Sequence, residues 1–317
     1  MQDRIKINDT DLELSLLGLG CVRAGLSWDG LDANNLLEHF IDLNGNFIDT
    51  ARVYSDWIPG ETSRSERVIG DWITYRGHRQ DIILATKGGH PSFDSMNVSR
   101  LSKAEMRSDI EHSLQKLQTD YIDIYFYHRD DTNKTVEELI DTMETFRKEG
   151  KLRYYACSNW TTSRMKEADA YCARMGYRGF VANQALYNIG VKNMTSLSDP
   201  TMVVCDQEML EYHMQSNNLL MPYSSLCNGF FHKLINQVSV ENNSHGYHSI
   251  NNINIANELD ALCKKNNYSI AQAMLGFFHV QEIDIVPLFS TSNISHMDEV
   301  TKYMISNYNK EDYSFCF

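Results

Sequence analysis

The sequence predicts an α/β fold, a (β/α)8 TIM barrel. Three observations carry that prediction. Eight short, largely apolar runs recur along the 317 residues, as strands buried on both faces of a parallel sheet should read. A segment of helical period follows nearly every one of them. The chain also exceeds the ~250 residues usual for such a barrel, which leaves room for loops and extra helices.

The candidate strands are Leu16–Leu19, Phe47–Ile48, Ile82–Ala85, Ile122–Phe126, Tyr154–Cys157, Phe180–Asn183, Leu219–Met221 and Ile283–Val286. Ser65 to Ile73 reads as a helix stopped by Gly77. After Leu101, a helix puts Met106, Ile110, Leu114 and Leu117 on one face, and Ser102 with Glu105 has the spacing of a capping box. Thr135 and Glu138 repeat that signal ahead of Leu139, Ile140, Met143 and Phe146, and Gly150 supplies the stop. Thr161 to Arg174 ends in the same way at Gly176. Asn236–Asn254, rich in Asn, Ser and His, reads as a long surface loop. No composition shift marks a linker, so residues 1–317 read as a single domain.

An open doubly wound sheet is the rival architecture. Its dinucleotide signature should follow the first strand, yet the glycines at 18, 20 and 25 do not fit G-x-G-x-x-G, because position 23 is Arg. No Walker loop occurs either.

Charge and composition exclude other classes. The chain carries 42 acidic against 29 basic side chains, a net charge of −13, which argues against a nucleic-acid or anionic-membrane partner. No run of eighteen apolar residues occurs, and MQDRIKINDTDLELS is too polar for a signal peptide. Seven cysteines, an odd number with no C-x-x-C, suit reduced thiols in the cytoplasm.

In a barrel of this kind, catalytic side chains sit where strands end and βα loops begin. Asp49 and Tyr54 follow the second candidate strand, Lys87 the third and His128 the fourth. Singly, these residue types are ordinary turn, packing or surface residues. Together they suit carbonyl reduction. A tyrosine hydroxyl with its usual pKa near 10 is too weak an acid for efficient proton exchange at neutral pH, and a neighbouring ammonium favours the phenolate. Asp49 would keep Lys87 charged and fixed, and His128 would hydrogen-bond the oxygen that accepts the proton.

The fragments GNFIDTARVYSD, ATKGG, DYIDIYFYHRDD and KLRYYACSNW also resemble, in order and spacing, the motifs of the aldo-keto reductases, and the resemblance runs from about Leu16 to Val300. It implies a (β/α)8 oxidoreductase that binds NADP(H) or NAD(H) at the carboxyl-terminal face of the barrel. By position, Tyr54 would be the general acid/base, Lys87 and Asp49 its tuning pair, and His128 the residue that orients the carbonyl. Ser158, Asn159 and Gln184 match positions that hold the nicotinamide carboxamide. Tyr223 matches the aromatic that stacks on the nicotinamide ring, and Ser224 and Leu226 fall in the pyrophosphate loop.

Near the carboxyl end, PLFSTSNISHMDEV departs from the family pattern. Ser290 stands where Gly or Lys is common, His296 where an Arg often grips the 2′-phosphate, and Val300 where an Asn lies; Glu299 is kept. Loss of a guanidinium removes a charge-assisted contact of roughly 1.5–3 kcal/mol. Thr291, Ser292 and Asn293 remain as hydrogen-bonding groups for a phosphate or a bare ribose, so either dinucleotide is compatible. Ser225 replaces a frequent Pro, which predicts a looser pyrophosphate loop.

Trp57, His90, Arg129 and Trp160 are expected to line the substrate mouth, with Asp130 close by and the two tryptophans forming a flat apolar wall. The stretch between Tyr54 and Ser65 is long enough for a lid. The function expected is reduction of an aldehyde or ketone to an alcohol, or its reverse. The alternative is a regulatory or redox-sensing barrel of the potassium-channel β-subunit type with little turnover. A metal-dependent hydrolase would need about three ligands at strand ends; no His-x-His pair stands there, and His245 and His248 fall in the polar loop.

Overall fold

The computed structural model of the chain describes residues 4–240 and 246–316. It opens with a small antiparallel hairpin, β1 (Ile5–Lys6) and β2 (Glu13–Leu14), turned at Asp9 with φ +57°. Eight parallel strands follow: β3 (Gly18–Gly20), β4 (Phe47–Asp49), β5 (Ile83–Gly88), β6 (Ile122–Tyr127), β7 (Leu152–Ser158), β8 (Ala182–Gln184), β9 (Leu219–Leu220) and β10 (Leu288–Phe289). Leu288 and Phe289 pair with Gly18 and Leu19, while Ile285 bridges to Leu220. The last strand therefore touches both the first and the seventh, and the sheet closes. The predicted barrel is observed, and the rival open sheet is excluded.

Helices fill the crossovers: α1 (Gly30–Asp42), α2 (Arg64–Arg76), α3 (Lys103–Leu117), α4 (Val136–Lys148), α5 (Thr162–Met175) and α6 (Gln207–Gln215). Ser102 accepts from the Glu105 N–H and Glu105 reaches back, so the predicted capping box of α3 is present. Thr135 caps α4 through the Glu138 N–H, and Gly77 and Gly176 end α2 and α5 with left-handed backbones (φ +75° and +70°). Four further α-helices follow among the described residues: α7 (Phe230–Ile235), α8 (Ile250–Asn266), α9 (Ile270–His279) and α10 (Ile294–Thr301).

Two expectations need correction. The eighth strand lies at Leu288–Phe289 rather than Ile283–Val286, of which only Ile285 makes a bridge. The polar stretch Asn236–Asn254 is not all loop, because Ile250 to Asn254 begin α8. Residues 241–245, His245 among them, lie outside the described residues. The amino-terminal hairpin has no counterpart among the predicted elements; Ile5, Ile7, Leu12 and Leu14 close the bottom of the barrel against Phe47, Ile83 and Leu219. No helix among the described residues is long and apolar enough to cross a membrane.

Strand parity explains where the chemistry sits. Successive strand side chains alternate faces. Phe47, Ile83, Ala85, Ile124, Phe126, Ala156 and Ala182 pack together as the barrel interior. Ile48, Leu84, Tyr125, Tyr127, Tyr155 and Cys157 pack in the outer core with the helices. Continuing each inward series towards the carboxyl end reaches Asp49, Lys87, His128, Ser158 and Gln184. The inward series turns from apolar to polar at one level, the top of the barrel.

Candidate active site

Lys87, on β5, is 1% exposed, and its ammonium donates three hydrogen bonds: to Asp49 Oδ2 at 2.6 Å, to the Thr50 carbonyl at 2.8 Å and to the Tyr54 hydroxyl at 3.1 Å. An ammonium has three N–H donors and no acceptor, so all are used and Lys87 has one orientation. The other oxygen of Asp49 accepts from Gln184 Nε2 at 2.7 Å. The loop that carries Tyr54 is tied to the neighbouring strand through Thr50 N to Ala85 O at 2.9 Å and Arg52 N to Lys87 O at 3.0 Å. Asp49, Tyr54, Lys87 and His128 are thus brought together; the Tyr54 and His128 rings stand 5.8 Å apart, edge to face.

The electrostatics of the four groups differ from the simple expectation. Burial works against the Lys87 charge, but Asp49 and Tyr54 outweigh it, and the ammonium lies above its usual pKa. Burial likewise pushes the Asp49 carboxyl up, against the pull of Lys87 and Gln184. Contrary to the expectation of an unusually acidic Tyr54, burial pushes its phenol up; Lys87 pulls it down, yet Asp49 partly cancels that field. The Tyr54 proton is therefore held at neutral pH. Burial, helped by the cation of Arg129, drives His128 well below the ordinary histidine range, so its imidazole is neutral.

Two cavities meet at these residues. One, of about 580 Å³, runs from Asp49, Tyr54 and His128 past Asn159 and Tyr223 to Thr291, His296 and Glu299. The other, of about 690 Å³, lies between Trp57, His90, Phe93 and Arg129. Tyr54, His128 and Arg129 line both. Both volumes suit small-molecule sites.

Along the first cavity, the Tyr223 hydroxyl donates to Asn159 Oδ1 at 2.7 Å, which fixes the ring as part of the wall. Asn159 stands at φ +60° with its Nδ2 donating to Ser158 Oγ at 3.0 Å and to the His128 carbonyl at 3.4 Å. Ser224, Ser225 and Leu226 line the same wall, as do Ser290, Thr291, His296 and Glu299. Ser158 and Gln184 are buried just beneath and are absent from the described lining; Ser292 is exposed beside it. Ser225 donates to the Pro222 carbonyl at 3.1 Å, so the turn expected to be looser is pinned by a side chain. Sequence reasoning missed His232 and Lys233, on α7, which face this cavity as well. Its described lining contains no arginine beyond Arg129.

In the second cavity, Trp57, His90 and Arg129 stand where expected. Trp160 does not. It is fully buried between Tyr127 and Phe180, at ring distances of 5.9 and 4.9 Å, and its indole N–H donates to the Arg129 carbonyl at 3.3 Å. Its place in the wall is taken by Phe93, 6.4 Å from Trp57, in a loop without periodicity that could have announced it. Arg129 is neutralised by Asp199 at 3.0 Å and also donates to Thr201 and to the His128 carbonyl. The loop after Tyr54 is tethered by Ser63 N to Asp56 Oδ1 at 2.7 Å and by ion pairs of Glu61 with Arg64 and Arg67. Among the described residues, no three His, Cys, Asp or Glu side chains converge as metal ligands would.

Comparisons with known proteins bear on the family and the fold. A model of the aldo/keto reductase family matches residues 16–316. The chain is similar to an uncharacterized oxidoreductase, YqkF, of Bacillus subtilis, with 35% identity over 164 residues, 51% of this chain and 50% of that protein, about half its length. Norsolorinic acid reductase B of Aspergillus parasiticus is 26% identical over 277 residues, 84% of this chain and 68% of its own length. An NADP(+) aryl-alcohol dehydrogenase of Phanerodontia chrysosporium is 28% identical over 235 residues, 69% of this chain and 57% of its own. In fold, the chain matches the crystal structure of a thermostable aldo-keto reductase, Tm1743, in complex with the inhibitor epalrestat, with a TM-score of 0.73 at 21% identity over 99% of this chain and 98% of that one.

Proposed function

The chain belongs to the aldo/keto reductase family, and from that premise we propose that it is a single-domain, nicotinamide-dependent enzyme that interconverts a carbonyl compound and an alcohol, with Tyr54 as the general acid/base. One observation carries the reading: the Tyr54 hydroxyl takes the last N–H of a buried ammonium and lies where two cavities join.

Lys87 has nothing to accept with, so the Tyr54 oxygen is the acceptor in their contact and the phenol's own hydrogen is free to point into the cavities. A substrate oxygen held there receives that proton as it becomes an alkoxide. An alkoxide is a stronger base than a phenolate, so transfer runs downhill even from a phenol that burial has made less acidic. Neutral His128 donates one N–H to the same oxygen and does not compete as the proton source.

NADP(H) or NAD(H) suits the longer cavity. Its wall offers the fixed ring of Tyr223, then the polar turn of Ser224 to Leu226, then Ser290, Thr291, His296 and Glu299. Ser158, Asn159 and Gln184 would hold the carboxamide end, and Lys233 brings an ammonium and His296 an imidazole to the same cavity. When bound, the dinucleotide supplies the hydride, and the protein supplies orientation and the proton. Tyr54→Phe should lower turnover of an aldehyde panel to a few per cent or less and leave the fluorescence titrations with NADPH and NADH nearly unchanged. A variant that keeps more than that activity is incompatible with Tyr54 as the acid. The two titrations also decide which dinucleotide is preferred.

A further inference from the structure

In the second cavity, the buried polar side chains among the described lining are His128 and His90. His128 is used in the reading above; His90 is not. It follows β5 three residues after Lys87 and is 6% exposed. Its backbone is held firmly: the Gly89 N–H donates to Asp109 Oδ2 at 2.9 Å, and Arg100, paired with Asp109, donates to the His90 carbonyl at 3.2 Å. Its ring is equally fixed. It packs 4.7 Å from His128 and 5.4 Å from Phe93.

The tautomer follows from one contact. His90 Nδ1 lies 2.6 Å from the Pro91 carbonyl oxygen, which can only accept, so Nδ1 carries the hydrogen. Burial and the nearby Arg129 keep the ring neutral. Nε2 is then a bare lone pair, and no hydrogen-bond partner meets it among the described residues. The ring is buried, but this nitrogen is not among its sealed atoms: it opens on the cavity, where a ligand's donor can reach it.

We infer that His90 Nε2 is a specificity element that accepts a hydrogen bond from a hydroxyl group on the substrate, and that the substrate class is a hydroxyaryl aldehyde or ketone. The inference rests on the carbonyl-reductase reading and narrows it. Trp57 and Phe93 supply apolar walls for a flat ring, and Asp199 offsets the Arg129 charge, so the cavity suits a neutral aromatic rather than a carboxylate. Contact between the His90 and His128 rings places the acceptor close to the oxygen to be reduced. A hydroxyl ortho to the carbonyl is already bonded to it within the molecule, and one in the para position points away along the ring. The meta hydroxyl is the one both near and free.

The test compares kcat/KM for 3-hydroxybenzaldehyde and 3-methoxybenzaldehyde in the wild type, His90→Phe and His90→Gln. The methoxy compound has no O–H to donate. A neutral hydrogen bond predicts a preference of about three- to tenfold for the hydroxy compound in the wild type, expressed chiefly in KM. His90→Phe keeps a ring against His128 and Phe93 but has no lone pair, so the ratio falls to about one. His90→Gln restores an acceptor oxygen, and most of the preference returns. A general loss of activity in either variant moves both substrates alike and leaves the ratio readable. A wild-type ratio of one or less, or a ratio that survives in His90→Phe, overturns the inference. If the wild type reduces neither aldehyde but turns over other members of the aldehyde panel, the hydroxyaryl class is overturned; if it reduces no member of the panel, it is the reductase reading that fails. Calorimetric affinity for 3-hydroxybenzaldehyde then decides on His90, with equal binding by wild type and His90→Phe as the overturning result.

Discussion

Replacing Lys87 by Met removes the centre of the proposed proton-transfer unit, and the structure lets the cost be apportioned. The substitution deletes three hydrogen bonds and leaves Asp49, 1% exposed, with only the Gln184 amide for a partner. Breaking a buried ion pair from one side costs about 3–5 kcal/mol, a large share of the roughly 5–15 kcal/mol that holds a typical domain together. Adding Asp49→Asn removes the stranded charge. The introduced amide can still accept from Gln184 through its oxygen, and what remains is its NH2 group beside the new thioether and the Thr50 carbonyl that Lys87 served, an unmet polar cost of about 1–3 kcal/mol. The double variant should therefore be more stable than Lys87→Met alone by about 2 kcal/mol, measured by urea unfolding of the two variants and the wild type. Activity should show no such recovery. With the ammonium gone, only the weaker field of Arg129 opposes the burial that already raises the Tyr54 phenol, and a general-acid contribution of about 10²–10⁴ in rate is at stake in both variants. The residual rate should also move its alkaline limb to higher pH. If the double variant unfolds as easily as the single one, the pair is not coupled as described. If Lys87→Met keeps its rate and pH profile, Lys87 does not tune Tyr54.

Two further predictions concern the scaffold beside the site. Glu66, fully buried on α2, has its carboxyl pushed by burial from the ordinary 4.5 to about 7, and Thr86 beside Lys87 donates to it at 2.6 Å. Because the folded value is the higher one, the stability it gives is complete below pH 4.5 and is lost as pH rises through about 7; at about 1.4 kcal/mol per pH unit the swing is about 3 kcal/mol, which Glu66→Gln should abolish in unfolding curves taken from pH 4.5 to 8. Gly70→Ala should destabilise by about 1–3 kcal/mol in the same assay despite alanine's better helix propensity, because its Cβ would stand 2.1 Å from the Lys116 carbonyl oxygen where α2 meets α3; a stabilised variant would mean that the two helices separate freely.

Much of this was legible in the sequence because it depends on local periodicity. Inward apolar residues two apart, such as Ile83 and Ala85, point to Lys87, and Ile124 and Phe126 point to His128 by the same count. Capping residues such as Ser102 and Thr135 act within one helical turn, so their signals need no tertiary knowledge. What escaped was decided by partners distant in the chain. The eighth strand divides its pairing between two neighbours, Ile285 to Leu220 on one side and Leu288–Phe289 to Gly18–Leu19 on the other, and the apolar run between 283 and 289 does not say where the division falls. The Asn-rich start of α8 is helical because the buried Asn252 amide donates to the carbonyls of Gly190 and Tyr247, a compensation that composition hides.

The same distinction governs the chemistry. Parity tells which side chain enters the top of the barrel, but not what is left for a ligand once the protein's own contacts are made. Gln184 enters with one N–H already given to Asp49, and Trp160 follows Asn159 in sequence yet is spent on Arg129, Tyr127 and Phe180. His90 enters with one nitrogen satisfied and the other open. The sign of the Tyr54 perturbation turns on the same accounting. The sequence places an ammonium beside the phenol, but only the structure shows that a carboxylate 2.6 Å behind the ammonium weakens its pull, so that burial prevails. Reactivity here is set by unspent hydrogen-bonding capacity and net field, and both are properties of the closed barrel rather than of any motif within it.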